Sequence, residues 1–162
     1  MSVTAGFTRL SPAELATLRT FAPEDTYDHL EALEEADESG VPRGEGLDQT
    51  WDGMAFLWQR SGLTPNPFAG TGDTIELANG GVDVLDPAMV MACAQMFDGL
   101  SFADLRGNAT APELARADLY PFGRHFDESD FGYIESWFVF LKEFFAKISA
   151  TGEDYYLLYE IA

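Results

Sequence analysis

The sequence predicts an α+β fold, a small mixed or antiparallel sheet covered by several helices, and three observations carry that expectation. Segments of β character stand at both ends of the chain and another lies near its middle. Between them, apolar residues recur at the spacings of three and four that belong to helices. The third observation is core material: 46% of 162 residues are apolar and 14% aromatic, despite a formal charge of -19. A chain of this length reads as one domain over 1–162, hiding roughly 70% of its unfolded surface on folding.

The elements follow in order. VTAGFTRL is short and β-compatible, and it runs into SPAELATLRTF. There Ser11 is a capping residue, Pro12 suits the first helical position and Glu14 completes a capping box. PEDTYDHLEALEEADESG contains no Lys or Arg and carries a narrow stripe of Tyr27, Leu30 and Leu33. It predicts an acidic amphipathic helix from Glu24 to Glu38, ended by Gly40. Gly40 to Gly46 reads as a glycine-punctuated loop, after which Leu47, Trp51, Met54, Ala55 and Trp58 share one helix face. Asp48 is placed to cap that helix, Gly62 to end it, and both tryptophans are expected in the core.

Residues 63–81 are rich in turn formers, with one strand-like patch at Thr74 to Leu77. Val82 to Leu85 reads as a strand, followed by a helix that Asp86 caps and Pro87 opens, with Met89, Cys93, Met96 and Phe97 on its buried side. Two short helical pieces come next, the second begun by Thr110, Pro112 and Glu113 and stopped by Tyr120 and Pro121. The longest helix starts near Asp127 or Ser129 and buries Ile134, Trp137, Phe138, Leu141, Phe144, Phe145 and Ile148, a stripe that Tyr133 and Phe140 widen. Gly152 ends it. The closing YYLLYEIA is apolar on both alternating faces apart from Glu160, which places it inside a sheet and not at an edge.

Composition also narrows function. With 28 acidic against 9 basic side chains, the surface repels phosphate backbones, so direct nucleic-acid binding is disfavoured. Cys93 is the single cysteine, so no intrachain disulfide forms, and its apolar helical context quiets the thiol. No apolar run reaches the roughly 18 residues of a membrane span, and the start lacks the order of a secretory signal. The expected setting is the bacterial cytoplasm, with no membrane partner.

Motifs for chemistry are sparse. HExxH, CxxC and EF-hand patterns do not occur, nor do GxSxG, GxGxxG or a P-loop, so no catalytic residue, metal or cofactor is assigned. His29 lies among carboxylates on the acidic helix. His125, in GRHFDESD beside Arg124, is the better candidate for a ligand, although an acid capping the long helix explains that stretch as well. Trp51, Asp52, Tyr120, Arg124 and His125 are therefore the ligand-binding candidates, for a small-molecule binder or enzyme with a cleft near Trp51, Tyr120 and His125. The sharper reading rests on Glu31, Glu34, Glu35, Asp37 and Glu38, a negative face that attracts a basic protein and neutralises it, as small acidic immunity proteins do. Its plainer counterpart is a face that only keeps the domain soluble.

The order of RLSPAEL, LDQTWDGMAFLWQRSG, NPFAG, VLDPAMVMACAQMFDGLSFADLRG, ELARADLYPFGRHF and YYLLYEI resembles the YfbM family of small bacterial proteins over nearly the whole chain. Its most specific parts are Leu47, Asp48, Trp51 and Asp52, together with Tyr120 and Pro121. Where the family follows its tryptophan with a histidine, this chain has Ala55, so no role of that histidine carries over. The resemblance implies a cytoplasmic α+β domain of unknown function, without an established activity.

Overall fold

The closing segment does lie inside a sheet. In the computed structural model, which describes residues 2–162, strands β1 (Ala5–Leu10), β2 (Gly44–Asp48), β3 (Thr74–Leu77), β4 (Gly80–Leu85) and β5 (Tyr156–Ile161) hydrogen-bond in the order β2-β1-β5-β4-β3. Every pairing is antiparallel, and β5 is central, with Phe7 opposite Tyr159 on one side and Val84 opposite Leu158 on the other. The helices are α1 (Pro12–Leu18), α2 (Thr26–Ala36), α3 (Trp51–Ser61), α4 (Pro87–Asp98), α5 (Phe102–Arg106), α6 (Ala111–Ala117) and α7 (Glu128–Ala150). The predicted α+β class is the observed one. Among the described residues, no helix is long and apolar enough to cross a membrane.

Alternation along the strands divides the apolar side chains between two cores, one on each face of the sheet. The larger, inner core sets Phe7, Leu157 and Tyr159 against α3 to α7. Its rings pack in sequence: Phe7 stacks on Tyr159 with centroids 4.8 Å apart, Phe145 on Phe97 at 4.9 Å, and Trp58 tilts against Phe97 at 5.2 Å. Trp58 is fully buried, and its indole N–H donates to the Pro65 carbonyl at 3.1 Å, so burial costs it no hydrogen bond. On the outer face, Leu10, Val82, Val84 and Leu158 pack beneath Leu15 and Leu18 of α1, with Tyr27, Leu30 and Leu33 of α2 completing the second core. The stripe on the acidic helix is thus the reason that helix is held to the sheet.

Local signals explain the helix starts. Ser11 and Glu14 form a reciprocal capping box, Asp86 accepts from the Met89 amide, Thr110 from Glu113, and Asp127 from Ser129. Gly62 closes α3 with φ +69°, a left-handed conformation that glycine takes without strain.

Four expectations are corrected. The stretch taken for a loop and a helix start is edge strand β2, so Leu47 is a buried strand residue and Asp48 is not the cap. Asp48 instead has φ +48°, where the register against β1 shifts, and Thr50 precedes the helix. Glycine hid this strand because its β propensity is low, yet glycine is what the pairing requires. A Cβ at Gly44 would stand 3.0 Å from the Phe7 carbonyl oxygen, and one at Gly6 would stand 3.1 Å from that of Glu45.

Second, the acidic helix ends at Ala36, before Gly40, because Asp37 is drawn into extended backbone by two arginines. Third, on α7 the stripe is narrower than expected: Trp137 is half-buried and Phe140 is 48% exposed. Fourth, α4 buries Val90 and Ala94 beside Cys93 and Phe97, leaving Met89 and Met96 half-buried at the core's rim. Burial alone pushes the Cys93 thiol up to about 12.

Candidate functional site

The five ligand-binding candidates do not form one group. Trp51, at the start of α3, stacks on Tyr120 with ring centroids 5.9 Å apart and planes 28° from parallel. Asp52 accepts the Tyr120 amide at 2.9 Å. The Tyr120 hydroxyl accepts from the Val3 amide at 2.8 Å and from Gln49 Nε2 at 3.3 Å, and the Trp51 indole N–H donates to the Val3 carbonyl at 3.2 Å. Nearby, the Tyr133 hydroxyl donates to the Asp48 carboxylate. Burial, reinforced by that carboxylate, pushes the Tyr133 phenol up to about 12. These polar groups bind one another and the backbone of Val3, so the cluster clasps the segment entering β1. Arg124 and His125 are exposed in the turn that follows, where the His125 amide donates to the Phe122 carbonyl at 3.2 Å.

The partner-binding candidates divide as well. Glu31, Glu34, Glu35 and Glu38 are exposed, and none has a cation within ion-pair distance among the described residues. Asp37 belongs elsewhere. Its side chain is 11% exposed, Arg9 reaches it at 2.5 Å and Arg43 at 2.9 Å, and Arg43 also pairs with Glu14 at 2.9 Å. Hydrogen bonds from Ser39, then the charges of Arg43 and Arg9, hold the Asp37 carboxyl far below the usual carboxylate range. The Arg9 guanidinium, 3% exposed, also donates to the carbonyls of Pro42 and Val41 and lies 4.7 Å from the Tyr155 ring centroid. This network ties the α2–β2 connection to β1.

A hollow that sequence reasoning missed lies beside it. The outer face of the sheet is covered by α1 and α2 over β1, β5, β4 and β3, but its β2 side is bare. Outward positions there are small: Gly6 pairs with Gly46 and Thr8 with Gly44, while Gly6 also faces Glu160 across β1 and β5. Two adjoining clefts of about 330 and 370 Å³ share Thr8, Gly44 and Glu160. One runs along the strands to Thr4 and Ala162; the other is walled by Tyr27, Leu30, Glu31 and Glu34 of α2. The Tyr27 hydroxyl donates to Glu160 Oε1, and burial, then this pairing, pushes the Tyr27 phenol up to about 12. The spacing Gly44-x-Gly46 was the available signal, since alternate glycines on a strand leave one face without side chains.

Neither cleft is lined by Trp51, Asp52, Tyr120, Arg124 or His125. Among the described residues, no three His, Cys, Asp or Glu side chains are grouped to hold a metal ion.

The protein of unknown function YfbM from Escherichia coli is similar in structure. The TM-score is 0.65 over 98% of this chain and 99% of that one, at 14% sequence identity, a likeness of fold. No curated protein matches the chain. The family described as a domain of unknown function, DUF1877, matches residues 1–157, from ahead of the clasped entry to β1 into the central strand β5, and the chain belongs to that family.

Proposed function

We propose that the protein is a non-enzymatic interaction protein of the bacterial cytoplasm whose acidic α2 face takes, and neutralises, a basic protein partner. One observation carries this reading. The carboxylates of Glu31, Glu34, Glu35 and Glu38 are exposed with no cation within ion-pair distance among the described residues, while Asp37, Glu14, Asp73, Glu113 and Glu128 carry ion pairs within the fold. Against a formal charge of -19, such a face attracts cationic surfaces over a distance set by salt.

The alternative, a cleft near Trp51, Tyr120 and His125, has less support. Those polar groups spend their hydrogen bonds on each other and on Val3, and His125 stands apart from them in the exposed turn.

The test is capture from the native cytoplasm on immobilised protein, followed by rebinding of the purified prey. The expected result is one basic protein whose retention falls with added salt and is lost when Glu31, Glu34 and Glu35 are changed together to lysine. Unchanged retention by that triple variant would remove α2 from the function.

A further inference from the structure

We propose that the bare trough between α2 and β2 is the seat of that partner, holding an extended basic segment whose arginine or lysine side chain pairs with Glu160. The proposal rests on the acidic-face reading and narrows it to one place and one occupant.

Shape comes first. α1 covers the Leu10 end of β1, but among the described residues no helix residue lines the cleft over Thr4 to Thr8 and Gly44 to Gly46, and the two clefts join there into a continuous floor from Thr4 to Thr8. Four steps of about 3.4 Å make that floor roughly 14 Å long, room for about five extended residues. Gly46 and Gly6 lie in one cross-strand row with Glu160, so a visiting main chain can approach the sheet closely beside that carboxylate. In an extended segment alternate side chains face the same way, so every second residue can reach the floor.

Charge selects the occupant. Glu31, Glu34 and Glu160 line the trough, and no protein cation lies within ion-pair distance of them among the described residues. Arg43, also in the lining, is already held by Glu14 and Asp37. Tyr27 fixes the Glu160 carboxylate through one oxygen, and a carboxylate has capacity for further donors. A guanidinium or ammonium arriving here meets a positioned acceptor and offsets a charge the fold leaves uncompensated.

The experiment uses a labelled peptide alternating glycine and arginine, titrated at low ionic strength and followed by anisotropy and amide chemical shifts. Shifts are expected at Gly6, Thr8, Gly44, Gly46 and Glu160. Gly46→Trp should block the trough, its Cβ starting in open space with nothing within 4 Å, and an unchanged amide spectrum away from the trough checks that the fold is kept. Glu160→Gln removes the charge and keeps an acceptor for Tyr27. Each variant should weaken binding about fivefold or more. Undiminished affinity in both variants, or shifts confined to Glu35 and Glu38, would overturn the trough and leave the acidic face standing. Failure of the wild-type protein to bind the peptide would overturn both.

Discussion

The two faces of the sheet are finished differently. The inner face is closed by five helices and a run of packed rings, with Phe7, Trp58, Phe97 and Phe145 all but excluded from water. The outer face is closed only in part, by two short helices over Leu10, Val84 and Leu158, and beyond them it ends in glycine and threonine. Structure is therefore concentrated on one side. The other side joins a smaller core to a stretch of strand without large side chains, and it is there that the sheet is left uncovered.

Substitutions can break or sharpen that contrast. The largest effect should come from the inner face: Trp58→Ala removes a fully buried indole and strands the Pro65 carbonyl, at a cost of about 3–5 kcal/mol in denaturant unfolding. A loss below about 1 kcal/mol would mean that this core is not close-packed.

Next is the arginine network that ties the α2–β2 connection to β1. Asp37→Ala leaves the Arg9 guanidinium buried without its carboxylate and should cost about 3 kcal/mol. The same group predicts a pH signature. Its folded pKa lies below the unfolded value of about 3.9, so the stability it supplies is present above that pH and lost as pH falls toward the lower folded value. Thermal unfolding of the wild type should therefore show a destabilising limb below about pH 4 that is reduced in the Asp37→Ala variant.

The smallest effects lie in the trough and oppose neighbouring glycines. Gly44→Ala pushes a methyl against the Phe7 carbonyl oxygen and should cost about 1–2 kcal/mol. Gly46→Ala enters open space and should stay within about 0.5 kcal/mol of the wild type by the same melt. Equal costs at the two positions would mean that the strand, and not the close approach, sets the requirement.

How much could be read beforehand follows the same division. Caps at Ser11, Asp86 and Thr110 act within three residues, and the stripe of α7 repeats over several turns, so both are local and visible in the sequence. The inward place of β5 was legible because its apolar residues fall on both faces. β2 was not, because its fitness for the sheet depends on the backbone of β1 opposite, which Gly44 and Gly46 do not announce. Asp37 looked like one more acid on a helix until Arg9 and Arg43 came beside it from other elements. Tyr27 and Glu160 meet across a separation of 133 residues, and Tyr133 and Asp48 across 85, beyond the reach of any periodicity. The trough lies where such distant pieces converge, which is why the candidates named from the sequence supply one of its walls and none of its floor.

The central position of β5 also has a consequence for how the molecule comes into being. Tyr156–Ile161 pairs with both β1 and β4, so among the described residues it is what joins the β2-β1 pair to the β4-β3 pair. β1 and β5 are separated by more than 140 residues, so their pairing is a long-range contact of the kind that makes folding slow. Closure of this five-stranded sheet therefore depends on a strand more than 70 residues downstream of β4, the longest-range pairing that the fold requires being that of β1 with β5.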